Sequence, residues 1–140
     1  MFSMDNSKKG LLPFRHSLVF SKEQCPKAQE DGSRMEGIPH ASTVGSLMYA
    51  MLCTRPDICF DVGMVSRYQS NPGPEHWTAI KHILKYLRRT KDYILMYDGD
   101  ELILVGCTDS DFMSDKDSRK LTSGHLFTLG GGGVSWRSIK

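Results

Sequence analysis

The chain has 140 residues, of which 39% are apolar and 24% are charged, with a formal net charge of +2. This length allows one ordinary domain or two small ones, with enough apolar residues for a globular core. The mild positive charge permits contact with nucleic acid but does not argue for it. No run of ~18 apolar residues occurs, so no membrane span is expected.

The N-terminal residues lack the basic start and apolar core of a signal peptide. We therefore expect an intracellular protein, cytoplasmic or nuclear, in a reducing compartment. The cysteines form no Cys-x-x-Cys pair and have no His partners at zinc-binding spacing, so a zinc site is not indicated. We expect free thiols, mostly buried. His76 and His82 are expected to be surface residues. The cysteines are Cys25, Cys53, Cys59 and Cys107.

The first part of the chain, residues 1–41, has scattered Gly and Pro and no sustained period, which predicts an irregular linker. Residues 42–92 show helical periodicity in three pieces. The first is capped by Ser42 or Thr43, and the second starts at Pro56. The third runs from Pro74 to about Thr90. The apolar stripe predicted for the first helix is Val44, Leu47, Met48, Met51 and Leu52.

The third predicted helix is amphipathic, and its apolar stripe has the width of a core-facing surface. Its basic residues lie on the other side, where they could follow a phosphate backbone. The plainer interpretation is a solvated polar face, which every amphipathic helix has, with cations that stabilise the C-terminal end. The apolar residues are Trp77, Ile80, Ile83, Leu84 and Leu87, and the basic ones are Lys81, Lys85, Arg88 and Arg89.

After residue 92 the periodicity changes to that of strands. Tyr93–Tyr97, a turn at Asp98-Gly99-Asp100, and Glu101–Thr108 predict a hairpin. Leu102–Val105 is apolar at every position, which favours a central strand buried on both faces. Thr122–Leu129 alternates and predicts a further strand that has one buried face.

A cluster of carboxylates follows the predicted strand that ends at Thr108. A calcium loop starting at Asp109 is excluded, because Ser114 and Lys120 stand where that loop needs Gly and Glu. Asp109, at a strand end, suits one ligand of a two-metal nuclease site, which needs several converging carboxylates. By residue pattern alone, a solvated acidic loop is the better interpretation. The other acidic residues are Asp111, Asp115 and Asp117.

Several short blocks occur in a defined order along the chain. They include Val44-Gly-Ser-Leu-Met-Tyr49, Thr54-Arg-Pro-Asp-Ile58, Ile83-Leu-Lys-Tyr-Leu-Arg-Arg-Thr90, Gly106-Cys-Thr-Asp-Ser-Asp111 and Val134-Ser-Trp-Arg-Ser138. Each block alone is weak, but the series resembles copia-type retrotransposon Pol polyproteins over nearly the whole chain. In that family these blocks lie between the reverse transcriptase palm and the ribonuclease H domain. A run of four Gly, expected to widen the last hairpin, departs from the family pattern.

The resemblance implies an α+β chain of about three helices followed by an incomplete antiparallel β-meander of a ribonuclease H-like fold. Residues 1–41 would follow a missing palm, residues 42–92 would form a connection or thumb-like segment, and residues 93–140 would begin a truncated ribonuclease H domain. Asp109 matches the first catalytic carboxylate and Mg²⁺ ligand of that domain. Its other ligands are expected beyond Lys140, so we expect no metal, polymerase or nuclease activity for this chain alone.

In the intact polyprotein, the partner would be an RNA/DNA template–primer duplex, held through the basic helix. The alternative is a non-enzymatic nucleic-acid-binding or protein-interaction module derived from a transposon. In either case, an unfinished sheet leaves an apolar edge that favours self-association.

Overall fold

The computed structural model describes residues 8, 10–13, 20–27, 35–98, 102–111 and 121–139. In this part of the chain, three α-helices precede a three-stranded antiparallel sheet, which confirms the α+β prediction. The helices are α1 (His40–Cys53), α2 (Cys59–Ser66) and α3 (Pro74–Arg89), with 3₁₀ turns at Lys22–Gln24 and Pro56–Ile58. The strands are β1 (Leu104–Asp111), β2 (Thr122–Leu129) and β3 (Gly132–Ile139).

Helix α1 begins before the predicted caps, at His40. The carbonyl oxygen of Pro39 accepts hydrogen bonds from the backbone N–H of Thr43, at 3.0 Å, and from its hydroxyl, at 2.6 Å. Thr43 is thus inside the helix, and the prediction of a cap at Ser42 or Thr43 is wrong. The stripe is also narrower than predicted, because Leu52 is 62% exposed.

Helix α3 confirms its predicted apolar face. Pro74 occupies its first turn, where the missing N–H costs nothing. Ile80 and Ile83 are fully buried and pack against the other two helices. Phe20, in the predicted linker, is also buried in this core. The core consists of Phe20, Val44, Leu47, Ile58, Val62, Met64, Val65, Tyr68, Ala79, Ile80 and Ile83.

The sheet has the order β1-β2-β3, so both neighbouring pairs are antiparallel and consecutive in sequence. Gly130 and Gly131 have φ of 53° and 76° and form the two-residue turn of the β2–β3 hairpin. Such positive φ values are easily adopted by Gly alone. The expected widening of this turn by four glycines is therefore wrong, since Leu129 pairs directly with Gly132.

The predicted hairpin before β1 is not formed. Residues 93–98 contain no strand, and the N–H of Asp98 instead donates to the carbonyl of Gly130 at 2.9 Å. The predicted turn residues Gly99 and Asp100 lie outside the described residues. Among the described strands, β1 lies at the edge of the sheet, and Leu104 is 63% exposed. The prediction of a central strand buried on both faces is wrong for the described residues, because β1 has one neighbour there.

No helix among the described residues is long and apolar enough to cross a bilayer. The cysteines are free, as predicted, but the prediction that most are buried is wrong. Cys59 alone is buried, Cys25 is half-buried, and both Cys53 and Cys107 are exposed.

Candidate functional site

Asp109 lies within β1, where it pairs with Gly124 of β2, and its side chain is exposed. The sequence suggested that Asp109 lies at the end of this strand. The strand instead continues to Asp111, so that prediction is wrong. Asp109 borders a cavity of about 580 Å³ between the sheet and the segment that enters α2. This cavity is the candidate functional site.

The walls of the cavity are largely apolar and come from both layers of the fold. Phe60 of α2 lines it together with Leu126 and Trp136 of the sheet. The indole Nε1–H of Trp136 donates to the carbonyl oxygen of Met51 at 2.6 Å, which attaches β3 to α1. The hydroxyl of Thr122, which is buried, accepts a hydrogen bond from Arg67 at 3.3 Å. These contacts hold the sheet against the helices and fix the width of the cavity.

A second carboxylate, Asp57, also lines the cavity. Arg55 holds it with two hydrogen bonds, from Nε to Oδ1 at 2.9 Å and from Nη2 to Oδ2 at 2.7 Å. The hydroxyl of Tyr86 donates to the same Oδ2 at 2.8 Å. Burial acts to raise the pKa of Asp57, but the hydrogen bonds from Arg55 and Tyr86 outweigh it and lower the pKa. Asp57 is therefore an ionised structural carboxylate with its oxygens occupied.

The same guanidinium connects the start of α2 to the end of α3. Arg55 donates to the hydroxyl and to the carbonyl oxygen of Thr90, at 2.5 and 3.3 Å. The Thr90 hydroxyl in turn donates to the carbonyl of Tyr86 at 3.0 Å. The guanidinium carbon lies 5.6 Å from the centre of the Tyr86 ring. We call Arg55, Asp57, Tyr86 and Thr90 the Arg55 network.

Among the described side chains, no group of three or more His, Cys, Asp or Glu is placed to hold a metal ion. Asp115 and Asp117 of the predicted acidic loop lie outside the described residues, as does the side chain of Asp111. The described part of the donor set does not by itself fit a pair of Mg²⁺ ions. Asp109 is one carboxylate, and the cavity's other carboxylate, Asp57, is already bound by Arg55 and Tyr86.

The four predicted nucleic-acid-binding residues lie on one face of α3 and do not border the cavity. Lys81, Lys85 and Arg88 are half-buried, and Arg89 is exposed. The backbone carbonyl of Lys85 accepts a hydrogen bond from Gly10 at 3.2 Å, which places the N-terminal segment beside this face. The structure thus brings the four cations together on one side of α3 and places Asp109 elsewhere.

Two buried histidines were not identified from the sequence. His76 is fully buried, so its prediction as a surface residue is wrong. Its Nδ1 accepts the N–H of Gly73 at 2.8 Å, and its ring stacks on Tyr68 at 4.3 Å. Burial and the neighbouring His40 lower the pKa of His76 to about 4. Burial also lowers the pKa of His40, which is 4% exposed.

Asp61 is a third unexpected group, a carboxyl that is 6% exposed in α2. Burial, assisted by the negative charge of Asp57, raises its pKa to about 7. For these three buried groups, the sequence offers one local signal: His76 stands three positions after Gly73, the residue that caps its helix. Asp61 carries none, because its burial depends on how α2 packs.

The chain is similar over almost its full length to a retrotransposon protein. It is 50% identical over 137 residues to the retrovirus-related Pol polyprotein from transposon TNT 1-94 of Nicotiana tabacum, covering 98% of this chain. A retrovirus-related Pol polyprotein from transposon RE2 of Arabidopsis thaliana is 39% identical over 69% of this chain. The homologues of this chain include retrotransposon Pol polyproteins. The chain spans 10% of the tobacco polyprotein and 7% of the Arabidopsis one.

A shorter relative has a different name. The secreted RxLR effector protein 161 of Plasmopara viticola is 47% identical over 107 residues, which is 76% of this chain and 75% of that protein. No family model matches the chain. No solved structure matches it either.

Proposed function

We propose that this chain is the connection or thumb-like segment of a copia-type reverse transcriptase joined to the first three strands of a ribonuclease H-like domain. It contacts an RNA/DNA template–primer duplex and performs no catalysis alone. The observation that carries the proposal is the Arg55 network. Arg55 and Asp57 belong to one resemblance block, whereas Tyr86 and Thr90 belong to another, and the structure joins the two. The blocks thus serve to fix α3 against α2.

The basic face of α3 supplies the proposed contact with the duplex. Lys81, Lys85, Arg88 and Arg89 lie within the last three turns of a helix that the Arg55 network fixes at its C-terminal end. A rigid row of cations neutralises successive phosphates and releases their counterions, so affinity falls steeply with salt. The relatives' printed name, Pol polyprotein, supports nucleic acid as the ligand.

The lack of nuclease activity is proposed from the carboxylates. Asp109 offers oxygens to a cation, and in an intact ribonuclease H-like domain it would ligand Mg²⁺ with carboxylates from other elements. Among the described residues, Asp57 is held by Arg55 and Tyr86, and the pKa of Asp61, raised to about 7, keeps a large share of that carboxyl protonated near neutral pH. A neutral or occupied carboxyl is a poor ligand for a hard cation.

The test is the binding of a labelled RNA–DNA hybrid, measured by fluorescence anisotropy over a series of salt concentrations. We expect the affinity of the wild-type chain to fall with salt. The variant K81E/K85E/R88E/R89E should lose most binding and most of the salt dependence. The matched control K8E/K22E/K27E changes three described lysines outside α3. Unchanged binding of the α3 variant would contradict the proposal.

A second candidate function is that of a protein-interaction module derived from a transposon. One relative is named an effector protein, and the described residues expose large apolar side chains between positions 93 and 105. These are Tyr93, Ile94, Met96, Tyr97, Leu102, Ile103, Leu104 and Val105, which we call the 93–105 apolar patch. Patches of this kind are typical of interaction surfaces.

A further inference from the structure

The face of the sheet that is turned away from the helices, called here the open face, has its own set of side chains. Trp136 defines the opposite face, because it donates a hydrogen bond to Met51 of α1. Since side chains alternate along a strand, His125 and Phe127 of β2 lie on the open face, and the cross-strand partner of His125, Arg137, lies there too.

The aromatic groups of the open face are arranged as a pair. The rings of His125 and Phe127 have centres 5.6 Å apart and are inclined at 55°. Phe127 remains 37% exposed. Its cross-strand partner on β1 is Gly106, and a Cβ at Gly106 would lie 2.6 Å from the Phe127 ring. The Phe127 ring therefore packs against the backbone of β1 at Gly106, which has no side chain, and this contact keeps the ring close to the sheet.

The polar groups of the open face complement a nucleic acid. Arg137 is exposed next to the aromatic pair. No Asp or Glu belongs to this face among the described side chains, because alternation places Asp109 on the other side of β1. A depression of about 440 Å³ adjoins His125, and Asp109 borders it at the strand edge. Exposed hydroxyls surround the pair: Thr108, Ser110, Ser123 and Ser135.

We propose that the open face binds single-stranded nucleic acid by stacking bases on Phe127 and His125, with Arg137 contacting the phosphates. Aromatic side chains on a sheet surface stack on any base, so the binding is tolerant of sequence. The hydroxyls supply hydrogen bonds to base edges or sugars. The inference rests on the proposed function only in taking nucleic acid as the ligand, since it uses a surface separate from α3.

The experiment measures binding of the full chain to a short fluorescein-labelled oligothymidylate by anisotropy. Phe127→Leu keeps the apolar volume but removes the π face, and we expect a loss of roughly tenfold in affinity. Phe127→Tyr keeps the ring and should bind within about twofold of wild type. Arg137→Gln should lower the slope of log affinity against log salt by roughly 0.7.

Tyr49→Leu is the matched control, because Tyr49 is a 72% exposed aromatic residue on α1. It should leave affinity unchanged. Thermal melts of each variant verify folding. Arg137→Gln keeps the test valid if Phe127→Leu unfolds, since an unchanged salt slope for this variant would also overturn the inference. The inference is overturned if wild type does not bind the oligothymidylate, or if the Leu and Tyr variants bind equally well. Binding that is lost with K81E/K85E/R88E/R89E instead would assign the single strand to α3 and also overturn it.

The two surfaces are distinguished by testing both variants with both ligands. The α3 variant should lose the RNA–DNA hybrid but keep the oligothymidylate, whereas Phe127→Leu should do the reverse. Hybrid binding that is retained by the α3 variant contradicts the proposed function. Oligothymidylate binding that is retained by Phe127→Leu, or lost by the α3 variant, contradicts the open face as a binding site.

Discussion

Arg55 and Asp57 form a two-point ion pair, with Nε–Oδ1 and Nη2–Oδ2 distances of 2.9 and 2.7 Å. The guanidinium of Arg55 is also shared with Thr90, so one side chain joins the entry of α2 to the end of α3. A planar fork of donors is needed for this, and the ammonium of a lysine cannot reproduce it. The pair is therefore structural in this chain.

Arg55→Lys should lower the free energy of unfolding by about 1–2 kcal/mol, because it removes the two-point contact and leaves Thr90 with fewer donors. The measurement is urea unfolding followed by circular dichroism. Arg89→Lys is the control, since Arg89 is exposed on α3. Equal stability of the two variants would show that the Arg55 network contributes nothing measurable.

Asp61→Asn should change how stability depends on pH. The pKa of Asp61 is raised to about 7, so the folded chain binds a proton that the unfolded chain releases, and stability falls as pH rises from about 4 to 7. The difference in unfolding free energy between wild type and variant should change by roughly 4 kcal/mol over that range. Urea unfolding at several pH values measures it. A constant difference would contradict the burial of an ionisable carboxyl here.

His76→Gln should reveal the opposite dependence. The lowered pKa of His76, about 4, means that the unfolded chain takes up the proton first, so stability falls as pH drops from about 6.5 to 4. The effect is roughly 3 kcal/mol, and His40 acts in the same direction. Gln at this position can still accept the Gly73 N–H.

In wild type, the contributions of His76 and Asp61 oppose each other between pH 4 and 7, so its stability should vary little there. His76→Gln should become less stable with rising pH, and Asp61→Asn less stable with falling pH. Parallel pH profiles for both variants would contradict this assignment.

The sequence predicted the helices well because their signals are local. Pro74 and the 3.6-residue apolar period identify α3 without any tertiary information. The Arg55 network joins residues up to 35 positions apart, and no period reports such a contact. For Leu104, the apolar run favours burial on both faces, but the neighbour that would cover it does not occur among the described strands. Local patterns cannot show whether a strand has one neighbour or two.

The 93–105 apolar patch should cause self-association. Ile94 and Leu102 are 79% and 77% exposed. Ile94→Lys with Leu102→Lys should reduce the binding of a hydrophobic dye and shift the chain toward a monomer in sedimentation experiments. The control is Leu11→Lys with Leu12→Lys, which removes exposed apolar residues elsewhere. A wild-type chain that is monomeric and does not bind the dye would contradict the prediction.

The proposal that this chain contacts an RNA–DNA hybrid without cutting it is tested most directly by a nuclease assay. A labelled hybrid is incubated with the chain and Mg²⁺, with Asp109→Asn as the comparison. We expect the hybrid to remain intact with both proteins, since Asp109 is the one carboxylate, among the described residues that line its cavity, that Arg55 and Tyr86 do not hold. Metal-dependent cleavage by the wild type that disappears in Asp109→Asn would contradict the account.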